Sequence, residues 1–312
     1  MILVAGSANL DFVVRAPHIP APGETVLGHD FKTYPGGKGA NQAVACARAG
    51  GAITHMLLAL GLDAFAAPLE ASLQAAGVQA HIVRAGDQAT GTAFICVSSD
   101  AENAITVAPG ANLALRPEHL PDLEGFTHLL MQLESPLETV TAYARAANTQ
   151  GVKVVLNAAP AQSLSAELMS LLDVLIVNEG ELAVLAGAHG SVAQNMACLT
   201  VPCVVVTLGP RGSCARSDGV LTFQPAFEIT PIDTTGAGDT FCGVLVAALS
   251  QGQGLPEALR LATAAGALAC TQAGAQTSIP SQAEVAAFTS AQPRAPESQV
   301  ARLRVDCGFD AP

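Results

Sequence analysis

The chain has 312 residues, half of them hydrophobic and 13% charged, with a net charge of −12. That length and apolar content allow one large α/β domain or two smaller ones around a sizeable core. The acidic balance, the absence of Trp and the presence of two Tyr argue against a broad nucleic-acid or anionic-membrane footprint, but not against a small phosphorylated ligand, which needs local positive potential alone.

The eight cysteines (46, 96, 198, 203, 214, 242, 270 and 307) form no C-x-x-C pair. Scattered through apolar stretches, they read as buried thiols in a reducing compartment. The amino terminus lacks a charged leader and soon meets Asp11, so it reads as a first strand and not a signal peptide. No run of about 18 apolar residues marks a membrane span. The expected location is the cytoplasm.

Residues 2–5 form an apolar run suited to a buried parallel strand. Gly6-Ser7-Ala8-Asn9-Leu10-Asp11 follows and lacks the G-x-G-x-x-G of a dinucleotide fold. Asn9 and Asp11 are either a turn held by Asx side chains or ligand contacts at a strand's carboxyl end. Residues 12–34 carry Pro17, Pro20 and Pro22 and break the strand–helix rhythm. They read as part of a small β excursion, a lid, which residues 90–107 complete with a hairpin-like stretch. Between these segments lies Gly36-Gly37-Lys38-Gly39-Ala40-Asn41-Gln42, a Gly-rich turn before a helix. Its glycines permit backbone contact with a polar ligand, Asn41 suits sugar hydroxyls, and Lys38 suits a phosphate. It is not a Walker A loop.

From residue 127 the chain alternates regularly: strands near 127–133, 152–156, 174–177 and 203–207, with helices between them. Such repetition implies a parallel sheet wrapped by helices. Asn9, Asp11, Glu134, Asn157, Asn178, Glu181 and Thr207 all collect at the strands' carboxyl ends, so one edge of the sheet carries the chemistry. Residues 256–270 read as a long buried helix, and 291–312 show no clear periodicity.

The stretch that organises the rest is Asp233-Thr234-Thr235-Gly236-Ala237-Gly238-Asp239-Thr240, where a loop becomes a helix. A helix start has unpartnered N–H groups and a positive dipole end, which together bind anions. Asp239 is either a helix-start acid or a base placed at that anion site.

Seven stretches in order resemble the ribokinase-like (PfkB) carbohydrate kinases over residues 1–289: Gly6 to Asp11, Pro22-Gly23-Glu24-Thr25, Gly36 to Ala43, Met131 to Glu138, Asn178 and Glu179 with Glu181 (Gly180 between them departs from the pattern), Thr207 to Gly212, and Asp233 to Phe241. The resemblance implies a three-layer α/β sandwich on a parallel sheet, with a small β-sheet lid from residues 12–34 and 90–107. Residues 290–312 would form a loosely ordered tail. It further implies ATP-dependent phosphorylation of a sugar hydroxyl, with D-ribose to D-ribose 5-phosphate as the nearest match. Deoxyribose, fructose or a nucleoside are alternative substrates, and a sugar or nucleotide sensor is an alternative of another class.

The same resemblance implies a role for each matching position. Asp239 would be the base, with Gly236, Ala237 and Gly238 as the anion hole. Asn9, Asp11, Gly37, Lys38, Gly39, Ala40, Asn41 and Glu134 would hold the sugar. Asn178, Thr207, Leu208, Gly209, Pro210, Arg211, Gly212, Gly238 and Thr263 would line the ATP site. Glu181 would order Mg²⁺ through water. Asp233, Thr235, Ala269, Gln272, Gly274 and Ser278 would surround an activating K⁺. A homodimer through the lid is expected.

Overall fold

The computed structural model describes residues 1–100, 102–187 and 190–310. Its main sheet runs β1 (Ile2–Ala5), β4 (Thr54–Gly61), β5 (Gln79–Ala85), β8 (His128–Met131), β9 (Lys153–Asn157), β10 (Val174–Asn178), β11 (Cys203–Thr207), β12 (Gly212–Ser217) and β13 (Val220–Pro225). In space the order is β13-β12-β11-β10-β9-β8-β1-β4-β5. The strands from β11 across to β5 are parallel; β12 and β13 add an antiparallel hairpin at one edge.

Alternation along the strands divides the core in two. Ile2 and Val4 of β1 face one helical layer, with α1 (Lys38–Val44), α2 (Ala66–Ala75), α7 (Ala237–Ser250), α8 (Leu255–Ala269) and α9 (Gln282–Ala291). Leu3 and Ala5 face the other, with α3 (Leu137–Thr149), α4 (Ala166–Leu171), α5 (Glu179–Ala186), α6 (Val192–Ala197) and α10 (Glu297–Asp306). Successive strand residues point to opposite faces, so continuously apolar strands such as Val204, Val205 and Val206 feed both layers at once. This is the expected three-layer sandwich.

A second sheet stands apart, with strands β2 (Asn9–Arg15), β3 (His29–Gly36), β6 (Gly91–Val97) and β7 (Asn103–Ala108) in the order β3-β2-β6-β7. Its first strand starts at Asn9, ahead of the proline-rich stretch. Asn9 and Asp11 are therefore lid residues as well as neighbours of the β1 edge.

Two features differ from expectation. The sequence pattern does not mark β5, because an edge strand reading Gln79-Ala80-His81-Ile82-Val83-Arg84-Ala85 mixes polar and apolar residues on both faces. The segment 290–312 is not a loose tail over its described length. It contains α10, in which Leu303 is buried and is followed by the buried Cys307. The Ala193 N–H donates to the Cys307 carbonyl at 2.9 Å, and the Phe309 ring meets Phe223 edge-on at 5.5 Å. One apolar anchor in a polar helix and two just beyond it give little periodicity, yet they dock the segment once β12, β13 and α6 offer a surface. Ala311 and Pro312 lie outside the described residues.

Candidate active site

The site starts at the amino end of α7. Gly236 is the N-cap, with φ +75°, a left-handed conformation that favours glycine. A Cβ there would also come within 3.0 Å of the Ala275 backbone. The turn is braced from both sides by Asp233. Its Oδ1 accepts the Thr235 N–H and its Oδ2 the Gly274 N–H, each at 2.9 Å. The Ala237 N–H donates to the Thr234 carbonyl at 3.2 Å. The amides of Gly238 and Asp239 thus remain the open donors of the first turn, where the dipole is positive.

Close helix packing brings α1 to this place. A Cβ on Gly243 would lie 2.5 Å from Ala45 Cβ and 2.6 Å from the Gln42 carbonyl oxygen, so glycine alone permits that approach. Cys46 Sγ donates to the Gly243 carbonyl across it. Asn41 and Gln42 then reach Asp239. Asn41 Nδ2 donates to Asp239 Oδ2 and Gln42 Nε2 donates to Asp239 Oδ1, both at 2.9 Å.

Lys38, the first residue of α1, is largely enclosed and faces several carboxylates. Asp239, with Glu134 and Glu181, holds its ammonium above the usual value against the opposing effect of burial. Glu134 is held by Ser7, whose Oγ donates to its Oε2 at 2.5 Å, and by the Lys38 N–H at 3.2 Å. Asp11 approaches from the lid. Burial, then the charges of Glu134 and Asp239, push its carboxyl up to about 7. Asn9 Oδ1 accepts from Asn112 Nδ2 at 2.8 Å, and Asn112 also takes the Ala8 N–H at 3.0 Å. The root of the lid is thereby tied to the loop after β7. An alcohol placed between Asp11, Glu134 and Asp239 meets hydroxyl acceptors on several sides, with the open amides of α7 beyond.

A cleft of about 170 Å³ continues from Asp239 and Lys38 past Gly236 and Gly238 to Asn157, Asn178, Glu181 and Thr207. It joins the α7 amino end to the carboxyl ends of β9, β10 and β11. Glu181 and Asn178 form a reciprocal cap on α5: the Asn178 N–H donates to Glu181 Oε2 and the Glu181 N–H to Asn178 Oδ1, each at 2.8 Å. Burial raises the Glu181 carboxyl above its ordinary value. Beyond Thr207 the chain makes a tight turn at Gly209, Pro210 and Arg211, closed by the Leu208 N–H on the Gly212 carbonyl. Arg211 pairs with Glu179 at 2.5 Å, while Leu208 is buried. Thr263, in α8, shares a buried hydrogen bond with Ser213 at 3.1 Å. Leu208, Gly209, Pro210, Arg211, Gly212 and Thr263 are not among the residues lining the cleft. At the end of α8, Ala269 is buried and its carbonyl accepts the Gln272 N–H at 3.3 Å; in the segment that follows, Ser278 Oγ donates to the Ala275 carbonyl.

No three His, Cys, Asp or Glu residues among those described converge on one metal position. A hard divalent ion bound through one or two carboxylates and substrate phosphates does not need such a cage. Glu181 and Asp239, the two carboxylates that line the cleft, have the donor chemistry for that arrangement.

The sequence reading has no role for Gln42, Gln132, Gln276 or Asn112. Glutamine and asparagine side chains carry no charge signature, and the four residues come from four separate parts of the chain. Gln42 and Gln132 sit inside recognised stretches, yet beside residues whose charge or backbone carries the signal; Gln276 and Asn112 sit outside them.

A sequence profile described as "pfkB family carbohydrate kinase" matches residues 1–282. The ribokinase of Haemophilus influenzae is 38% identical over 299 residues, covering 92% of this chain and 97% of that protein. The crystal structure of ribokinase from Thermotoga maritima superposes with a TM-score of 0.85 at 35% identity, covering 93% of this chain and 99% of the other. Arabidopsis thaliana ribokinase, solved with ribose and ATP, gives 0.84 at 31% identity and covers 92% and 98%. The chain belongs to the pfkB family of carbohydrate kinases.

Proposed function

We propose that the protein transfers the γ-phosphate of ATP to O5 of D-ribose. The observation that carries the reading is Asp239, held by two side-chain amides beside the open N–H groups of α7. The likeness to ribokinases, one of them solved with ribose and ATP, supports the choice of substrates.

In the reaction O5 attacks the γ-phosphorus. The O5–H proton passes to the Asp239 carboxylate, the O5–P bond forms, the bond from the γ-phosphorus to the β,γ-bridging oxygen breaks, and ADP leaves with that electron pair. Phosphoryl transfer asks a protein chiefly for placement and charge stabilisation. Asn9, Asp11, Asn41 and Glu134, with the loop Gly37, Lys38, Gly39 and Ala40, place the sugar. The Gly236, Ala237 and Gly238 turn receives the transferring phosphoryl group, most directly through the Gly238 and Asp239 amides, with Lys38 supplying a fixed positive charge. Asn178, Thr207 and the turn through Gly212 accommodate the nucleotide, with Thr263 supporting that turn through Ser213.

Glu181, through water, would hold Mg²⁺, which neutralises phosphate charge when bound. The backbone carbonyls around Asp233, Thr235, Ala269, Gln272, Gly274 and Ser278 would hold K⁺. Both Asp233 oxygens already accept N–H groups, so its part is to brace the two loops that meet there.

The lid suits self-association. Strand register puts Asp11, Ala93 and Val107 on one face, with Ile95 and Ile105. Ile105 and Val107 are 53% and 44% exposed on that face, next to the sugar-binding carboxylate. A second copy covering it would remove apolar surface from water and shelter the sugar.

The test is an ATP-consumption screen of the purified protein against pentoses, hexoses and nucleosides. D-ribose should give the highest kcat/KM, with the phosphate at O5. A nucleoside or fructose preferred, with ribose near background, would overturn the assignment.

A further inference from the structure

We propose that two buried chains of side-chain amides hold Asp239 in its working orientation, so that Gln42, Gln132 and Gln276 are positioning residues for phosphoryl transfer. The inference rests on the kinase reading above, in which Asp239 takes the proton.

The first chain comes from the sheet. Gln132 directly follows β8, and its Nε2 donates to Gln42 Oε1 at 2.7 Å. Gln42 Nε2 then has two acceptors, Asp239 Oδ1 at 2.9 Å and Asn157 Oδ1 at 3.0 Å. Asn157 ends β9, and its own Nδ2 donates to the Ile176 carbonyl of β10 at 3.1 Å. Three adjacent parallel strands thus fix one oxygen of the carboxylate. The second chain comes from the helical layer. Ser72 Oγ of α2 donates to Gln276 Oε1 at 2.5 Å, Gln276 Nε2 donates to Asn41 Oδ1 at 3.1 Å, and Asn41 Nδ2 reaches Asp239 Oδ2 at 2.9 Å.

The polarity of both chains agrees with an ionised carboxylate. Such a group accepts hydrogen bonds and donates none, so each amide touching it must present its NH₂. Its carbonyl oxygen must then face the next donor outward, as Gln132 and Gln276 supply. Asn157 is oriented independently by β10 and gives Gln42 a second acceptor, which excludes the flipped amide. The arrangement has a cost: Gln132 Oε1 is buried with no partner. Unsatisfied polar atoms of this kind are few in folded proteins and concentrate where function demands them. Gln42, Gln132, Gln276 and Asn41 are all buried, so these hydrogen bonds are shielded from bulk solvent. An amide also neither gains nor loses a proton in the working range. It can orient the base without competing for the substrate's proton.

The test uses Gln132→Met and Gln276→Met, which do not touch Asp239, together with Gln42→Leu. For each, kcat, both KM values, the pH dependence of kcat and a melting curve are measured, in the wild-type and in the Asp239→Asn background. Loss of a hydrogen bond to a charged group typically corresponds to about 10- to 100-fold, so Gln42→Leu should lower kcat by about that factor. The outer variants should lose less, about 3- to 10-fold, with both KM values within about twofold of wild type. The acid limb of kcat should move to higher pH, because the lost donors favour the ionised carboxylate. In the Asp239→Asn background the outer substitutions should cost almost nothing further, since coupled residues are non-additive. Folded outer variants with unchanged kcat and acid limb, or with the same loss in both backgrounds, would overturn the proposal. If Gln42→Leu does not fold, the outer pair decides it. Wild-type turnover separates the two readings: no turnover on any sugar removes the base and the amide chains with it, whereas a working wild type with indifferent variants removes the amide chains alone.

Discussion

The floor of the site and its lid are built on opposite terms. Around Asp239 the polar side chains of α1, β9 and the loop after α8 are buried and joined amide to amide. On the lid, β7 is exposed along its whole length, and Phe31, Phe94, Ile105 and Val107 show much of their surface to water. A transferring phosphoryl group needs donors and base fixed before it arrives, because reorganisation at that moment raises the barrier. A sugar needs a way in, so the part that covers it must be weakly held. Asp11 belongs to both regions. It is a lid residue by chain position and a member of the carboxylate cluster by charge, since Glu134 and Asp239 act on it electrostatically.

The largest expected effect is at the floor. Asp239→Asn keeps the shape but cannot accept the proton, and loss of a general base typically costs about 10² to 10⁴ in rate. Binding of ATP and ribose should change far less than kcat. A variant retaining more than about a tenth of wild-type kcat would contradict that order of magnitude and return Asp239 to the role of a helix-start acid.

Asp11 tests the junction. Its folded carboxyl titrates near 7, far above its ordinary 3.8. The folded state therefore holds this proton more tightly than the unfolded chain does. Stability should fall as pH rises from about 4 to about 7 and level off above that, as linkage requires. Asp11→Asn should raise the melting temperature at pH 8, by up to about 4 kcal/mol in unfolding free energy, while ribose binding weakens. In the wild type, the KM for ribose should drop as pH rises through about 7, if the ionised form is the hydroxyl acceptor. A stability gain with unchanged sugar affinity would make Asp11 a lid residue alone.

Smaller effects belong to the lid. Ile105→Lys with Val107→Lys should weaken self-association by about tenfold or more, the scale of losing a central apolar contact, with a raised ribose KM and a kcat close to wild type. Sedimentation at several concentrations measures the first effect, and kinetics the second. An unchanged assembly would take the second copy off this face. The smallest effect is that of the ion. Replacing Na⁺ by K⁺ at constant ionic strength should raise the rate, and Asp233→Ala should blunt the rise by freeing the turn that presents the α7 amides. Equal rates in both salts for the wild type would leave Asp233 as a purely structural brace.

The sandwich was legible because each buried parallel strand is a short apolar run and each βα unit repeats the pattern. The end of α7 was legible because its chemistry is local: Gly236, Ala237, Gly238 and Asp239 are consecutive, and a helix start binds anions wherever it occurs. α10 was not legible. Leu303 and, just past the helix, Cys307 and Phe309 acquire meaning from the surface that receives them. Nor was β5, whose edge position relaxes the apolar requirement.

By itself the sequence determined the layered α/β architecture, the strand edge at which polar residues collect and the place where a glycine-rich loop becomes the start of α7. All three follow from periodicity and backbone geometry over a few neighbouring residues. Tertiary structure decided what surrounds Asp239. Gly243 lets α1 close on α7, and that approach brings Asn41 and Gln42 to the two carboxylate oxygens. Gln132, Asn157 and Gln276 arrive from positions as much as 235 residues away from their partners. A neutral amide has no preferred partner along the chain, so its role is set by whatever donor or acceptor the packed fold leaves within about 3 Å.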